Sequence, residues 1–146
     1  MTDPRLDALS DIAREAGALA LKSYRGAFEQ WEKSPGNPVS EVDLAVDRFL
    51  KDELKRLDPD AGWLSEETKG DSSRFDCERV WIVDPMDGTR EFVMRNPEYV
   101  VSVALVENGK PVLGVIYNPL SGDLYEAITG AGTRLNGKPV ACDHAY

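Results

Sequence analysis

The chain contains few of the residues on which several common mechanisms depend. Its 146 residues include one histidine, His144, and two cysteines, Cys77 and Cys142. A lone histidine near the C-terminus, with no partner nearby in the sequence, argues against a Ser-His or Cys-His mechanism. The two cysteines lack metal-type spacing and are too few for a disulfide framework. We therefore expect reduced thiols and a cytoplasmic location.

The sequence also lacks long apolar runs and an excess of basic residues. No segment is long and apolar enough to predict a membrane span, and the N-terminus does not resemble a signal peptide. There are 17 Lys and Arg against 26 Asp and Glu, for a net charge of -9. Binding to a nucleic acid polymer through bulk electrostatics is therefore not expected. The composition, 42% hydrophobic and 29% charged, indicates one globular domain.

Two amphipathic helices are predicted in the first half of the chain. The pair Asp3-Pro4 is a typical helix start, and apolar residues then recur at helical spacing as far as Tyr24. A second helix is predicted from Ser40, with Asp43 in the capping-box position, until the Asp-Pro-Asp sequence that follows it. The ordinary function of Asp43 would be that cap alone.

The remaining sequence predicts strands separated by turns. Residues 28–32 are expected to form a short strand, residues 33–38 a mobile turn-rich loop, and residues 68–78 a flexible polar loop. Residues 99–106 are almost wholly apolar, which is typical of a strand covered on both faces. Asn-Gly pairs then indicate hairpins. The further predicted strands are residues 62–65, 112–117 and 124–128.

The most informative stretch is residues 81–89, Trp-Ile-Val-Asp-Pro-Met-Asp-Gly-Thr. The apolar triplet predicts a buried strand that leaves the sheet at Asp84, because Pro85 has no N–H for the ladder. Two carboxylates, Asp84 and Asp87, then precede a short helix or helical turn that begins at Gly88. Carboxylate oxygens suit Mg²⁺, and N–H groups at a helix start suit a phosphate. The alternative is a plain turn, because Asp-Pro and Asp-Gly are common turn formers.

A second acidic pair, Glu66-Glu67, ends the strand predicted upstream. Two strands that both end in acids can bring those acids together at one edge of a sheet. Like charges held close together repel, and a cation is the natural compensation. The two patterns together favour metal-assisted phosphate chemistry over a plain turn.

These motifs resemble the inositol monophosphatase family of Mg²⁺-dependent, lithium-sensitive phosphatases. The similarity rests on W-I-V-D-P-M-D-G-T-R-E-F and W-L-S-E-E, and it extends through V-V-S-V-A-L, G-V-I-Y-N-P and G-A-G-T-R-L-N-G. It covers nearly all of the chain from Lys33 to Val140. The continuation R-E-F-V-M-R-N-P-E-Y is closer to the 3'(2'),5'-bisphosphate nucleotidase branch.

The resemblance implies a fold and a reaction. The expected class is α+β, with two long N-terminal helices packed on a mainly antiparallel meander, as in the N-terminal half of the family fold. Residues 1–146 would be its metal-binding domain. The implied reaction is Mg²⁺-dependent hydrolysis of a small phosphate monoester, either an inositol monophosphate or a 3'-phosphorylated nucleotide. The alternative is a truncated, non-catalytic metal-binding or interaction module.

The resemblance also implies metal ligands. Glu66, Asp84 and the backbone carbonyl of Met86 would hold one Mg²⁺. Asp84 would bridge to a second ion, which Asp87 also binds, in a complete site of two or three ions. Glu67 is expected to be a neighbour rather than a primary ligand.

Three further residues complete the implied catalytic set with Glu66. Gly88 and Thr89 would offer backbone N–H groups to the substrate phosphate. The hydroxyl of Thr89, together with Asp43, would orient the attacking water, which gives Asp43 a function beyond its helix cap. Water would attack directly, without a covalent phosphoenzyme.

One element of the family is missing from the printed sequence. Family members have a second half with a W-D-x-A-A element, whose aspartate completes the second metal site. This chain would therefore be a fragment, one of two complementing polypeptides, or a shortened relative. A homo-oligomer or a complementing C-terminal half is the expected partner. Alone, the chain is expected to keep one Mg²⁺ site and to hydrolyse phosphate esters poorly.

Overall fold

The computed structural model describes residues 3–24, 30–34, 37–68, 72–96 and 98–142. Helices and strands occur in the α+β arrangement that the sequence predicts. The helices are α1 (Pro4–Tyr24), α2 (Glu41–Leu57) and α3 (Thr89–Val93), with a 3-10 helix at Ser72–Asp76. The strands are β1 (Gln30–Ser34), β2 (Asn37–Ser40), β3 (Gly62–Ser65), β4 (Arg79–Asp87), β5 (Val100–Glu107), β6 (Lys110–Tyr117), β7 (Leu124–Ile128), β8 (Gly132–Leu135) and β9 (Lys138–Val140).

Strands β3 to β9 form one sheet in sequential order. The pairs from β4 to β9 are antiparallel, whereas β3 runs parallel to β4. The mainly antiparallel meander is therefore confirmed. The parallel pair has a consequence for the acidic patterns, because parallel strands end at the same edge of a sheet. Ser65, the last residue of β3, is paired with Val83, so that Glu66 and Asp84 follow the two paired residues at the same edge.

Helices α1 and α2 cover one face of this sheet. Their apolar stripes lie against alternate residues of the central strands, and a fully buried Leu or Val contributes about 1.5–3 kcal/mol relative to an exposed one. Along β5 the burial alternates, as expected for a sheet with one covered face. The buried core includes Leu9, Ala13, Val46, Leu50, Trp81, Val83, Val103, Leu105 and Val115.

The helix starts follow the capping rules. The side chain of Asp3 accepts the backbone N–H of Arg5 at 2.9 Å, as an N-cap residue does. At α2, Ser40 and Asp43 form the predicted capping box. None of the helices in the described ranges is long and apolar enough to cross a membrane.

The predicted hairpins are also confirmed. Asn108 and Gly109, with φ of 50° and 77°, connect β5 to β6, and Asn136 and Gly137, with φ of 51° and 83°, connect β8 to β9. Positive φ at both central residues is what a type I′ hairpin turn requires.

Two predicted loops contain regular structure. Residues 33–38 do not form only a loop, because β1 and β2 pair as an antiparallel hairpin up to residues 34 and 37. Proline is tolerated there because a two-stranded sheet has only edge strands. The polar loop over residues 68–78 contains the 3-10 helix. Residues 28–29, 35–36 and 69–71 lie outside the described ranges.

We expected strand β4 to end at Asp84, because a proline follows. That expectation was wrong. The strand continues to Asp87 with a register shift between Asp84 and Asp87, so that Pro85 lies where the ladder with β5 is interrupted. A bulge removes the need for the N–H that Pro85 lacks. The expectation that β5 is covered on both faces was also wrong, because Ser102, Ala104 and Val106 are only partly buried.

Candidate functional site

Three segments meet at the edge where β3 and β4 end. The turn after β3 is tied to β4, because the backbone N–H of Glu66 donates to the carbonyl of Val83 at 3.3 Å. The first turn of α2 reaches the same edge through Asp43, whose side chain contacts Thr89 at the start of α3. The fold therefore brings the two acidic patterns and the predicted water-orienting pair to one place.

Asp84 is the electrostatic centre of this edge. Its carboxylate accepts the backbone N–H of Met86 at 3.2 Å. Burial raises the pKa of Asp84 to about 6, with further contributions from the negative charges of Asp87, Glu66 and Glu67, against the lowering effect of the Met86 hydrogen bond. Nearby carboxylates and desolvation both disfavour a second negative charge here. The site thus concentrates negative charge around Asp84.

The carboxylates of Glu66, Asp84 and Asp87 do not form a preformed metal-binding cluster in this structure. Among the residues that the structure describes, no three His, Cys, Asp or Glu side chains lie close enough together to hold a metal ion. Asp84 is within electrostatic reach of Asp87 and Glu66, but a shared coordination sphere for the three remains a prediction.

The available ligands nevertheless fit a hard divalent cation. Carboxylate and backbone carbonyl oxygens are the ligands that Mg²⁺ and Ca²⁺ take in proteins. Burial and the negative charges of neighbouring carboxylates raise the pKa of Asp84, and the charge of a bound cation would oppose that shift. Glu66, Asp84, Asp87 and the carbonyl of Met86 therefore offer the type of oxygen ligand that such a cation takes, and the charges of Glu66 and Asp87 act on Asp84.

Asp43 performs two structural tasks with its two carboxylate oxygens. Oδ2 accepts hydrogen bonds from the backbone N–H of Ser40, at 2.8 Å, and from the Ser40 hydroxyl. Oδ1 accepts a hydrogen bond from the Thr89 hydroxyl at 2.7 Å. The helix cap and the contact with Thr89 therefore do not exclude each other, and Asp43 is fully buried between them.

The Thr89 hydroxyl lies between two acceptors. It is 2.7 Å from Oδ1 of Asp43 and 3.1 Å from the carbonyl oxygen of Met86. Its single proton is directed to these acceptors, so its oxygen lone pairs remain available to a donor such as water. The hydroxyl of Thr89 therefore links Asp43 on α2 to Met86, two residues after Asp84.

Gly88 is required for a steric reason that its sequence context did not reveal. Its φ is 96°, and a Cβ atom there would lie 2.5 Å from the carbonyl oxygen of Glu98 and 3.1 Å from Cα of Tyr99. Only glycine tolerates both the backbone conformation and the close approach. This turn directs the chain from β4 into α3, and so places Thr89 opposite Asp43.

The prediction from sequence missed two groups of residues that support the site. One is an aromatic cluster, in which the ring centroids of Tyr24, Phe92 and Tyr99 lie 4.9 to 5.6 Å apart. It packs the last turn of α1 against α3. No local signal predicts the cluster, because the three rings come from separate elements of the fold.

The other is a second buried acid on α2, Asp47, which is 1% exposed. Its Oδ1 accepts a hydrogen bond from the hydroxyl of Ser65 at the end of β3. The available signal was its position one helical turn after Asp43, on the side of the helix that faces the sheet.

Comparisons with known proteins agree with this geometry. The model of the inositol monophosphatase family matches residues 1–146. The chain is 41% identical over 128 residues to the 3'(2'),5'-bisphosphate nucleotidase CysQ of Escherichia coli O157:H7, covering 86% of this chain and 52% of that protein. It is 36% identical over 137 residues to inositol monophosphatase 3 of Solanum lycopersicum, covering 92% and 51%.

Solved structures give the same result for the fold. The extragenic suppressor protein suhB from Bartonella henselae matches with a TM-score of 0.90 at 30% identity, over 98% of this chain and 56% of that one. The inositol monophosphatase of Thermotoga maritima matches with a TM-score of 0.87 at 32% identity, over 97% and 55%. The chain spans about half the length of the curated relatives that it matches.

Proposed function

Because the chain belongs to the inositol monophosphatase family, we propose that it carries the metal-binding and water-orienting residues of a Mg²⁺-dependent phosphatase of small phosphate monoesters. The observation that carries the proposal is a chain of hydrogen bonds from Asp43 through the Thr89 hydroxyl to Met86, whose N–H binds Asp84, a carboxylate with a pKa raised by burial and by its acidic neighbours. Perturbed acids of this kind cluster at functional sites.

The proposed ligands are the side chains of Glu66, Asp84 and Asp87 and the backbone carbonyl of Met86. Asp84, whose pKa is raised by burial and by the charges of the other acids, would be shared between ions in a complete site of two or three. When bound, Mg²⁺ would neutralise charge on the phosphoryl oxygens and lower the pKa of a water molecule. The Met86 carbonyl contacts the Thr89 hydroxyl, and its second lone pair is left for a cation.

The residues of the chain would orient the water and the substrate. The Thr89 oxygen, whose own proton is directed to Asp43 or Met86, would accept a hydrogen bond from water. Asp43, which is held rigidly by the cap of α2, would fix the direction of that hydroxyl. The backbone N–H groups of Gly88 and Thr89 would bind phosphate oxygens. Fixed donors and acceptors of this kind reduce the entropy cost of reaching a reactive geometry.

Two substrate classes fit the relatives' names. A 3'-phosphorylated nucleotide is the first choice, since identity to the named nucleotidase is 41% and identity to the named inositol monophosphatase is 36%. An inositol monophosphate is the second. The proposal includes a cytoplasmic location with reduced thiols.

A non-catalytic metal-binding module is the competing function. We further propose that a complementing C-terminal half, or a second copy of the chain, is needed for efficient turnover, because the chain spans about half of its relatives.

Phosphate release separates these functions. The substrates would be adenosine 3',5'-bisphosphate and inositol 1-phosphate with saturating Mg²⁺. The chain would be assayed alone and after mixing with the C-terminal half of a CysQ relative. We expect little release by the chain alone and Mg²⁺-dependent release by the mixture, abolished by Asp84→Asn. Robust release by the chain alone, lost in Asp84→Asn, would show that a second half is not needed. No release in either preparation would favour the non-catalytic module.

A further inference from the structure

The end of β3 is held by a serine hydroxyl with hydrogen bonds on both sides. The hydroxyl of Ser65 donates to Oδ1 of Asp47 and accepts the backbone N–H of Glu67 at 3.2 Å. The intervening residue, Glu66, donates its own backbone N–H to Val83 on β4 at 3.3 Å. Both backbone N–H groups of the acidic pair are therefore fixed, one to the sheet and one to Ser65.

Asp47 is suited to anchor this turn. It is 1% exposed, and a buried carboxylate is destabilising unless it is hydrogen-bonded. Its position on α2, one turn after Asp43, means that a single rigid helix contacts both parts of the candidate site. Asp43 binds the Thr89 hydroxyl and Asp47 binds the Ser65 hydroxyl. The spacing along α2 therefore sets the distance between Thr89 and the turn that carries Glu66.

We propose that Asp47 and Ser65 form a positioning pair that sets the direction of Glu66 toward Asp84, and thereby the cation affinity of this edge. The inference rests on the proposed function, because it takes Glu66 and Asp84 as ligands of one site. Asp47 touches neither a cation nor a substrate in this account. Its effect passes through the Ser65 hydroxyl and the Glu67 N–H to the turn. Removing partners that orient metal ligands typically costs about 10- to 100-fold in metal affinity.

The fold supplies a matched control in a second serine bonded to a buried acid. The hydroxyl of Ser10 on α1 donates to Oε2 of Glu126 on β7 at 2.7 Å, and both residues are buried. Strand β7 is separated from β4 by β5 and β6. Replacing Ser10 by Ala thus deletes the same kind of hydrogen bond from the same α/β layer, without touching the edge that carries Glu66.

The test uses Mn²⁺ as the probe for the hard-cation site. Binding of Mn²⁺ to the chain is measured by the loss of the free-ion EPR signal, and Mg²⁺ is added as a competitor. The variants are Ser65→Ala, Ser65→Thr, Ser10→Ala and Asp84→Asn, with circular dichroism and metal-free thermal unfolding of each. We expect Ser65→Ala to raise the Mn²⁺ dissociation constant about 10-fold. Ser65→Thr, which keeps the hydroxyl, should stay within about 2-fold of the wild type, as should Ser10→Ala.

The outcomes are distinguishable. A folded Ser65→Ala variant that binds Mn²⁺ as the wild type does would overturn the positioning pair. If Ser65→Ala does not fold, Ser65→Cys decides in its place, since a thiol of similar size donates only weakly, and unchanged affinity in that variant has the same meaning. Wild-type binding that Asp84→Asn leaves intact, or no wild-type binding at all, would refute the proposed metal site itself and this inference with it.

Discussion

The two ends of strand β4 carry acids in opposite electrostatic settings. At its start, Arg79 binds Asp58, with Nε 2.5 Å from Oδ2 and Nη2 3.2 Å from Oδ1. The guanidinium holds the pKa of Asp58 below its usual value. At its end, burial and the charges of Asp87, Glu66 and Glu67 raise the pKa of Asp84 to about 6.

The difference separates a structural acid from a candidate functional one. Asp58 has a cationic side chain that compensates its charge, whereas, within the described part of the chain, the pKa of Asp84 is shifted by burial, by acidic side chains and by a backbone N–H. Carboxylates that lie near one another at a strand end repel, and that repulsion destabilises the folded state unless another interaction offsets it. The compensation for Asp84 is expected to come from solution, as a divalent cation.

The largest expected effect is on catalysis at the end of β4. In the preparation that shows Mg²⁺-dependent phosphate release, Asp84→Asn should lower kcat by at least about a hundredfold, since Asp84 would be a ligand of both proposed ions. The matched control is Asp60→Asn, which neutralises an exposed acid beside the structural end of the strand. Near-wild-type turnover of Asp84→Asn at saturating Mg²⁺ would contradict a bridging function.

A smaller effect on catalysis is expected at Thr89. Thr89→Val keeps the shape of the side chain and removes the hydroxyl, so kcat should fall roughly a hundredfold while Mn²⁺ binding changes little. Thr89→Ser retains the hydroxyl and should recover most of the rate. Equal losses of metal binding and of rate in Thr89→Val would instead mean that Thr89 acts through the Met86 carbonyl.

The pH dependence of the free energy of unfolding should show the difference between Asp84 and Asp58 without any substrate. The folded-state pKa of Asp84, about 6, exceeds its ordinary value of 3.8. The folded state therefore binds the proton more tightly, and metal-free stability should fall as pH rises from about 4 to 6. The shift corresponds to at most about 3 kcal/mol, and solvent screening reduces this to roughly 1 kcal/mol for a partly exposed group.

The predicted fall in stability with rising pH can be tested by denaturing the metal-free protein in the presence of a chelator. Asp84→Asn should be more stable than the wild type at pH 7 by roughly 1 kcal/mol, and the difference should vanish near pH 4. If Asp84→Asn were instead less stable than the wild type at pH 7, the negative charge of Asp84 would be stabilised in the metal-free protein, which contradicts the expected repulsion.

Asp58 should behave in the opposite way. Its folded-state pKa is lowered by Arg79, so its contribution to stability is present above its unfolded-state pKa and is lost as pH falls through the folded-state value. Asp58→Asn should thus be less stable than the wild type at pH 7 and approach it in acid, as measured by thermal unfolding. The same pH profile for Asp58→Asn and Asp84→Asn would remove the distinction between the two ends.

Features with local causes could be predicted from the sequence. The cap at Ser40 and Asp43 and the hairpins at Asn108-Gly109 and Asn136-Gly137 depend on a few neighbouring residues, and each was predicted correctly. The meeting of the two acidic patterns was also predictable, since both follow apolar strands.

Features with long-range causes could not be predicted from the sequence. The continuation of β4 past Pro85 depends on a bulge against β5. The bond between Asp47 and Ser65 depends on how α2 packs over β3. The contact between Asp43 and Thr89 joins residues 46 positions apart, and only the family resemblance suggested it.

The most direct test of the central claim is a crystal structure of the chain grown with Mg²⁺. We expect a Mg²⁺ ion with ligand distances of about 2.0–2.1 Å to carboxylate oxygens of Glu66 and Asp84 and to the Met86 carbonyl. An ion bound elsewhere, or Glu66, Asp84 and Asp87 directed to different surfaces at saturating Mg²⁺, would contradict it.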